Sequence, residues 1–596
     1  MELLNLDGVV EKGVFEIPSY QRGYAWQIRQ LKDFWNDLEH VSKLGDKFHY
    51  MHSLTLRELE NEFEDSAFEI IDGQQRLATS LILLGLLAKT TQNKDPKYSL
   101  INLEPVLSYK YYGLSEAFRA IMEEEKDLER FQTSFYAKNL IDAYAFFKEK
   151  ISDTPMETLE KMFDALTKKM LFSVVELNDN RIDPFSSFET INNRGKDLST
   201  LELLKNRLHF VVHKICDEED LENLQQEIND TYTRIYYDLR HFEDDHLESF
   251  LKHFVAYYYG EKRDFKERLL NTAFDAHKKY DDLYDEYEKI NDLLLHLSYS
   301  SKVWYFLHTL DDEELRIEIT SKMHGLLDKM RRLNALSENA FLPLLLSLLT
   351  IQLAVRSGSE RHYTTKELEG LLEYLERFGF LIYGVAGKNT AKNEWIESAF
   401  RAFKACRFWG DKITIEDLPT LEKNFFKGKH SGLELLEESI HSKKNTEKWY
   451  RWNKALNYLL YEYELHHNPE TTLNFDSSIE SIEHILPQKP DQGYSAKEKS
   501  WAKNPNIVHA LGNLLLISKN ANSSLSNKPF DEKRKQYLKG SYSEKEVAKN
   551  ASFGIVEIQK RSEKLLDFLI ARYRIAELVG ESTIKAFKNA LLKEIK

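Results

Sequence analysis

The chain has 596 residues, 42% hydrophobic and 12% aromatic, with only 12 Pro and 23 Gly. That composition excludes a disordered or fibrous protein and, at about 150 residues per domain, supports three or four domains with sizeable cores. The formal charge of −15 argues against a protein coated in nucleic-acid-binding surface. Its two cysteines, Cys216 and Cys406, suit a reducing cytoplasm and exclude a zinc site built from four thiolates.

In chain order, MELLNLDGVVEKG lacks a basic region ahead of an apolar core, so no secretory signal is expected and the expected location is cytoplasmic. Phe15 to Trp26, FEIPSYQRGYAW, begins extended, is halted by Pro18, and passes through Gln21 and Arg22 toward an amphipathic helix over Gln30 to Val41. Extended segments follow at Tyr50 to Arg57 and Ala67 to Ile71, the second running into IIDGQQRLATSLILLGLLAK. Strand, glycine turn and apolar helix is the order in which backbone N–H groups at a helix start hold an anion. A purely structural reading competes: Asp72 with Gln75 as a capping box, Gly73 for the turn, and Leu77, Leu81, Leu84 and Leu87 as the buried face. It leaves Gln74 and Arg76 unexplained, because Arg at a helix start opposes the macrodipole unless it faces an anion or a carboxylate. In FETINNRGKDLSTLELLKNR, Asn193-Arg194-Gly195 predicts a turn, and Ser199 with Glu202 a capping box ahead of a helix.

The set IPxYQRxYAW, IDGQQR and FxxxNxRGxxL, in order across roughly the first 215 residues, resembles the nucleotide-using domain of GmrSD-type, modification-dependent restriction systems. The resemblance implies a ParB/sulfiredoxin-like α/β core. It also implies that Asp72, Gly73, Gln74, Gln75 and Arg76 bind and hydrolyse a nucleoside triphosphate, with Gln21, Arg22, Asn192 and Arg194 lining the same pocket. No Walker-type GxxxxGK[ST] is present, so any such chemistry differs from that of P-loop proteins.

From Cys216 to about Glu447 the pattern is a succession of amphipathic helices, with no catalytic constellation. This middle is expected to connect the two ends and is a candidate dimerisation surface. Its longest apolar run, Ala340 to Val355, carries Pro343 and Gln352 and falls short of the roughly 20 residues a bilayer span needs, so it reads as a buried helix and no membrane association is expected. Lys448 to His467 reads as one helix, and His466 and His467, about 100° apart on it, suit surface positions better than chelation.

The last marked stretch is Ser478 to Phe530. Ile479 to Leu486 and Leu514 to Ser518 read as two strands, with a helix starting near Lys519 to Asn522. Glu483, His484 and Asn522 offer hard oxygen donors for a divalent metal and a base for a hydrolytic water. Between His484 and Gly540 ten Lys and Arg face four Asp and Glu, a local +6 that leaves −21 for the remainder. Such an island favours a phosphodiester substrate, although a Lys-rich solvated surface explains it equally. As a plain alternative, the Asn residues are turn and cap residues.

The ordered set EHIxP, LGNL, and then Asn522, Asn527, Phe530 and Lys533 resembles the HNH nuclease domain of the same GmrSD-type proteins. The resemblance implies a ββα-metal site with His484 as the base, Asn513 supporting the loop, and Glu483 with either Asn522 or Asn527 on Mg²⁺, or on Mn²⁺ in its place. Lys519, Asn527, Lys528 and Lys533 are the expected DNA contacts. The fold expected is mainly α with α+β ends: residues 1–215 a nucleotide-using sensor domain, 216–447 a helical connector, and 448–596 an HNH nuclease domain with its metal site within 478–535. The function expected is an NTP-regulated endonuclease of anti-phage defence acting on modified phage DNA. The contrasting expectations are a non-catalytic nucleotide- or DNA-binding regulator and an HNH nuclease without modification dependence.

Overall fold

A computed structural model describes residues 2–595 except 60–65, 93–97, 99, 111, 178–197, 217, 243, 276–277, 279, 281–282, 314, 316, 356–361, 408–409, 427, 443, 472, 474–479 and 491. Helices predominate, and the chain divides into two compact units, Met1–Leu315 and Arg316–Lys596. Helices between 216 and 447 belong to both.

The first unit is built on a six-stranded mixed sheet of β1 (Glu2–Asn5), β2 (Val14–Ile17), β3 (His49–Leu59), β4 (Ala67–Asp72), β5 (Leu107–Tyr109) and β6 (Met170–Glu176), in the order β1-β6-β3-β4-β2-β5. β2 runs parallel to β4 and β5, and β3 parallel to β6, while the β3–β4 and β1–β6 pairs are antiparallel. The alternating segments around Phe15, Leu54 and Ile70 supply its centre, and all three of these side chains are buried. The expected amphipathic helix is Ile28–Lys43, and it buries Leu31, Phe34, Trp35, Leu38 and Val41, a stripe at 3, 4 and 7-residue spacing. Each such side chain contributes about 1.5–3 kcal/mol on leaving water.

β4 turns into the helix Gln74–Thr90 through Gly73, whose φ of +101° lies in the left-handed region. A Cβ there would stand 2.9 Å from the Ser53 carbonyl oxygen, so only glycine fits. The helix has no side-chain cap, which corrects the Asp72–Gln75 capping box: with Gly73 at the N-cap, Gln75 is free to bond elsewhere. The Ser199–Glu202 box does form, at the start of the helix Thr200–Ile215.

Two histidines of this unit are held neutral. Burial lowers His209 to about 3 and His253 to about 4, from an ordinary value of 6.5. Both therefore take up protons only on unfolding when the pH lies between about 6.5 and those values. Their contribution to stability is complete above about pH 6.5 and falls on acidification, by up to roughly 1.4 kcal/mol per pH unit for each group. Denaturant midpoints at pH 7.5 and pH 5 are expected to differ in that direction, and equal midpoints would contradict the assignment.

In the second unit the expected buried helix is Leu342–Ala354, with nearly every side chain enclosed. Among the described residues no helix is long and apolar enough to cross a membrane. Lys448 to His467 is two elements rather than one: a 3₁₀ turn, Lys448–Trp452, and the helix Lys454–His467. Asn453 between them has φ +46° and ψ −111°, outside the right-handed helical region, so one helix cannot run through it. His466 and His467 are exposed, as expected. A two-stranded antiparallel sheet, β7 (Glu480–His484) and β8 (Leu514–Ser518), completes the unit.

Candidate functional site

In the C-terminal unit, β7 and β8 pair in the register Glu480↔Ser518 to His484↔Leu514. The helix Lys519–Leu525 follows β8 directly, because Ser518 caps it by accepting the Ala521 N–H at 3.3 Å. Strand, strand and helix thus fall where the sequence places them.

The LGNL segment fixes the connection between the strands. A Cβ on Gly512 would meet the Ile558 carbonyl oxygen at 2.0 Å, so the helix Ile555–Arg572 rests on bare backbone there. From that helix Ser562 Oγ accepts the Gly512 N–H at 2.8 Å, and buried Arg561 donates to the carbonyls of Gly512 and Leu514 at 2.9 and 2.7 Å. Asn513 is fully buried. Its Oδ1 accepts the Leu486 N–H at 2.7 Å, and its Nδ2 donates to the Leu486 and Val508 carbonyls at 2.9 and 2.7 Å. Asn513 therefore holds the loop that follows His484.

Glu483 and His484, as neighbours on a strand, point to opposite faces. Glu483 Oε1 accepts from Lys533 Nζ at 2.5 Å and from Tyr537 Oη at 3.1 Å, and Lys533 also donates to the His484 carbonyl at 2.9 Å. The Lys533 and Glu483 side chains are 0% and 4% exposed. Burial raises the Glu483 carboxyl and lowers the Lys533 ammonium, each opposed by the charge of the other. Lys533 is thus an internal cation, and the DNA contact expected of it is corrected: full burial keeps its ammonium from any phosphate. Lys519, Asn527 and Lys528 are exposed. Asn522 donates to Ser481 Oγ at 2.7 Å and to the Ile482 carbonyl at 3.2 Å, tying its helix to β7.

His484 is buried, with Nε2 3.0 Å from His509 Nδ1 and Nδ1 3.3 Å from Gln488 Nε2. Tyr450, set by the break at Asn453, lays its ring against both imidazoles, at centroid distances of 4.9 and 5.8 Å. Burial, then the neighbouring His509 and Lys533, lower His484 to about 3, and burial lowers His509. Sequence reasoning missed Tyr450, Gln488, His509 and Tyr537. His509 lies four residues ahead of Asn513, just before the LGNL segment, and that proximity was the signal available.

Among the described residues no group of three or more His, Cys, Asp and Glu is placed to hold a metal. The donors present do not form a ready-made cation site. Lys533 and Tyr537 engage Glu483 at one oxygen, the His484 backbone N–H also bonds its carboxylate, and Asn522 uses only its amide nitrogen, so the Asn522 amide oxygen is the donor left open. Mg²⁺ bound here would have to take the Glu483 carboxylate in place of its Lys533 partner, with water and substrate phosphate completing the set.

In the N-terminal unit, Gln75 accepts the Ala25 N–H at 2.8 Å and donates to the Gly23 carbonyl at 2.9 Å, so both ends of its amide hold the 20–26 segment. Gln74 donates to the Arg22 carbonyl at 3.0 Å, and Gln21 to the Ile70 carbonyl. Arg76 donates to the Ser53 carbonyl at 2.7 Å and to Asp72 Oδ2 at 3.2 Å, while Ser53 Oγ reaches the same carboxylate oxygen at 3.2 Å. Asp72 is the carboxylate that lets Arg76 stand at a helix start. Gln74 Oε1 and Arg76 Nε are buried without a hydrogen-bond partner among the described residues. The structure therefore brings together Gln21, Arg22, Asp72, Gly73, Gln74, Gln75 and Arg76, whereas Asn192 and Arg194 lie outside the described residues.

Comparison with known proteins adds two matches. Residues 5–209 match the N-terminal domain of the GmrSD restriction endonucleases. Residues 437–568 match the C-terminal domain of the same enzymes. No curated protein matches the chain. With the glutamine-anchored N-terminal segment and the LGNL-anchored hairpin in one polypeptide, each inside its matching domain, the chain belongs to the GmrSD restriction endonucleases.

Proposed function

We propose that the C-terminal site is a metal-dependent HNH nuclease centre that cuts modified phage DNA, and that the N-terminal unit binds and hydrolyses a nucleoside triphosphate that regulates the cut. The observation that carries the nuclease reading is the hairpin followed at once by a helix, with His484 ending the first strand, Asn513 holding the loop and Asn522 on the helix. Glu483 and Asn522 would hold the cation, which when bound supplies charge neutralisation at the scissile phosphate. His484, neutral through burial, takes the proton of the attacking water. Asn513 keeps the backbone at Leu486 fixed so that the imidazole does not drift, and exposed Lys519 and Lys528 meet DNA phosphates as solvated cations.

The test is incubation of the full chain with modified and unmodified phage DNA, with Mg²⁺ or EDTA, and with or without each NTP. Cleavage of modified DNA alone, dependent on Mg²⁺ and altered by an NTP, is the expected result. Metal-independent cleavage would refute the HNH assignment, and cleavage indifferent to base modification would favour a nuclease of broader substrate range. The nucleotide reading rests on the buried, unpartnered Gln74 Oε1 and Arg76 Nε. Arg76→Ala is expected to lower NTP turnover at least about tenfold, since charge-assisted bonds to phosphate are among the strong ones. Phosphate release at the wild-type rate would move that chemistry elsewhere.

A further inference from the structure

We propose that His509 is a positioning residue for His484: its Nδ1 accepts the His484 Nε2–H and thereby fixes the tautomer in which His484 Nδ1 is the basic nitrogen. This role rests on the nuclease reading of His484 and goes beyond it by naming the partner that orients the base. Donor inventory places the protons. In the placement seen, Gln488 turns its amide Nε2, a donor only, toward His484 Nδ1 at 3.3 Å, which makes that nitrogen the acceptor. A neutral imidazole has one N–H, which must then sit on Nε2, 3.0 Å from His509 Nδ1. His509 Nδ1 is in turn the acceptor, and its own proton lies on Nε2.

Three constraints hold this arrangement. Tyr450 lies against both rings, and His509 stacks on it at an interplanar angle of 24°. The two imidazole planes are inclined at 78°, with His484 Nε2 3.0 Å from His509 Nδ1. Lys533 fixes the His484 backbone through its carbonyl. Exposed Gln488 then covers the basic nitrogen as a displaceable group. When DNA and water enter, the Gln488 amide leaves Nδ1. The water O–H bond breaks, its proton passes to Nδ1, and its electron pair attacks phosphorus. The P–O bond to the leaving oxygen breaks, and that oxygen is protonated by solvent. Throughout, Nε2–H stays on His509, which keeps the imidazolium from rotating away.

The distinguishing variant is His509→Asn, because Asn Oδ1 occupies the place of His Nδ1 and accepts the same hydrogen bond. His509→Ala removes the acceptor. With the full chain, Mg²⁺ and cleavable DNA, His509→Ala is expected to lower kcat at least about tenfold with KM nearly unchanged, and His509→Asn to restore most of it. Imidazole ¹⁵N spectra of histidine-labelled wild-type protein, assigned against His484→Ala, are expected to show His484 protonated at Nε2. Wild-type kcat in His509→Ala would overturn the proposal. So would an inactive His509→Asn that melts with the wild type, or a spectrum showing His484 protonated at Nδ1. If His484→Ala itself still cleaves DNA, the nuclease reading fails, and the spectrum alone decides whether His509 is the acceptor.

Discussion

His484→Ala is expected to lower DNA cleavage by about 10²–10⁴-fold, the range a positioned general base contributes. The fold should survive. His484 ends β7, where its backbone is held from both sides: its carbonyl accepts from Lys533, and the next residue, Ile485, donates to the Asn513 carbonyl at 3.0 Å. Neither bond involves the imidazole. The ring does pack on Tyr450 and His509, so a modest fall in melting temperature is expected. Wild-type cleavage by a folded His484→Ala protein would remove this residue from the chemistry. A variant that is inactive and unfolded would instead be resolved by His484→Asn, which keeps polar bulk at the site.

Lys533→Met carries the largest expected effect on stability. Glu483 and Lys533 form an ion pair almost wholly out of water, and removing one partner of such a pair costs about 3–5 kcal/mol because a buried charge is left uncompensated. The Lys533 ammonium also serves the His484 carbonyl, so the variant strands a second acceptor. The pH dependence has a definite sign. Burial already raises the Glu483 carboxyl, and losing the ammonium raises it further. A carboxyl raised in the folded state is penalised as pH climbs above its unfolded value, so the deficit should be greatest near neutrality and shrink toward pH 4. Pairing Lys533→Met with Glu483→Gln should recover much of the loss by removing the stranded charge. Urea unfolding of the single and double variants at two pH values measures this, and an additive double variant would show that the two groups do not interact.

The contrast between what is legible in the sequence and what is not follows sequence distance. The hairpin and its helix are readable because apolar runs, the serine cap at Ser518 and the LGNL segment act within a few residues of one another. Contacts of the glutamines with the 20–26 segment, and of Glu483 with Lys533, span some fifty residues, and no local periodicity encodes them. Gln75 reads as half of a capping box because its spacing from Asp72 is right, but Gly73 takes the cap position and frees the amide for the loop. Lys533 reads as a surface lysine in a basic island, and only the placement of its helix beside β7 reveals it as a counter-ion. The helix read across Lys448 to His467 breaks because Asn453 takes a positive-φ, non-helical conformation that its neighbours do not announce. His509 escapes for the opposite reason: it stands beside a recognised motif, and the motif draws attention to Asn513.

The clamp that Arg561 and Ser562 place on Gly512 and Leu514 bears on how such a nuclease can be inherited or transplanted. The residues proposed for the chemistry end near Lys533, yet the backbone that aims them is completed by a helix reaching to Arg572. A gene fragment carrying only the motif would encode a hairpin with an open flank, its glycine facing solvent and its carbonyls bare. The heritable unit is therefore the motif together with its distant brace, and recombination that preserves every signature residue can still deliver a site that never assembles.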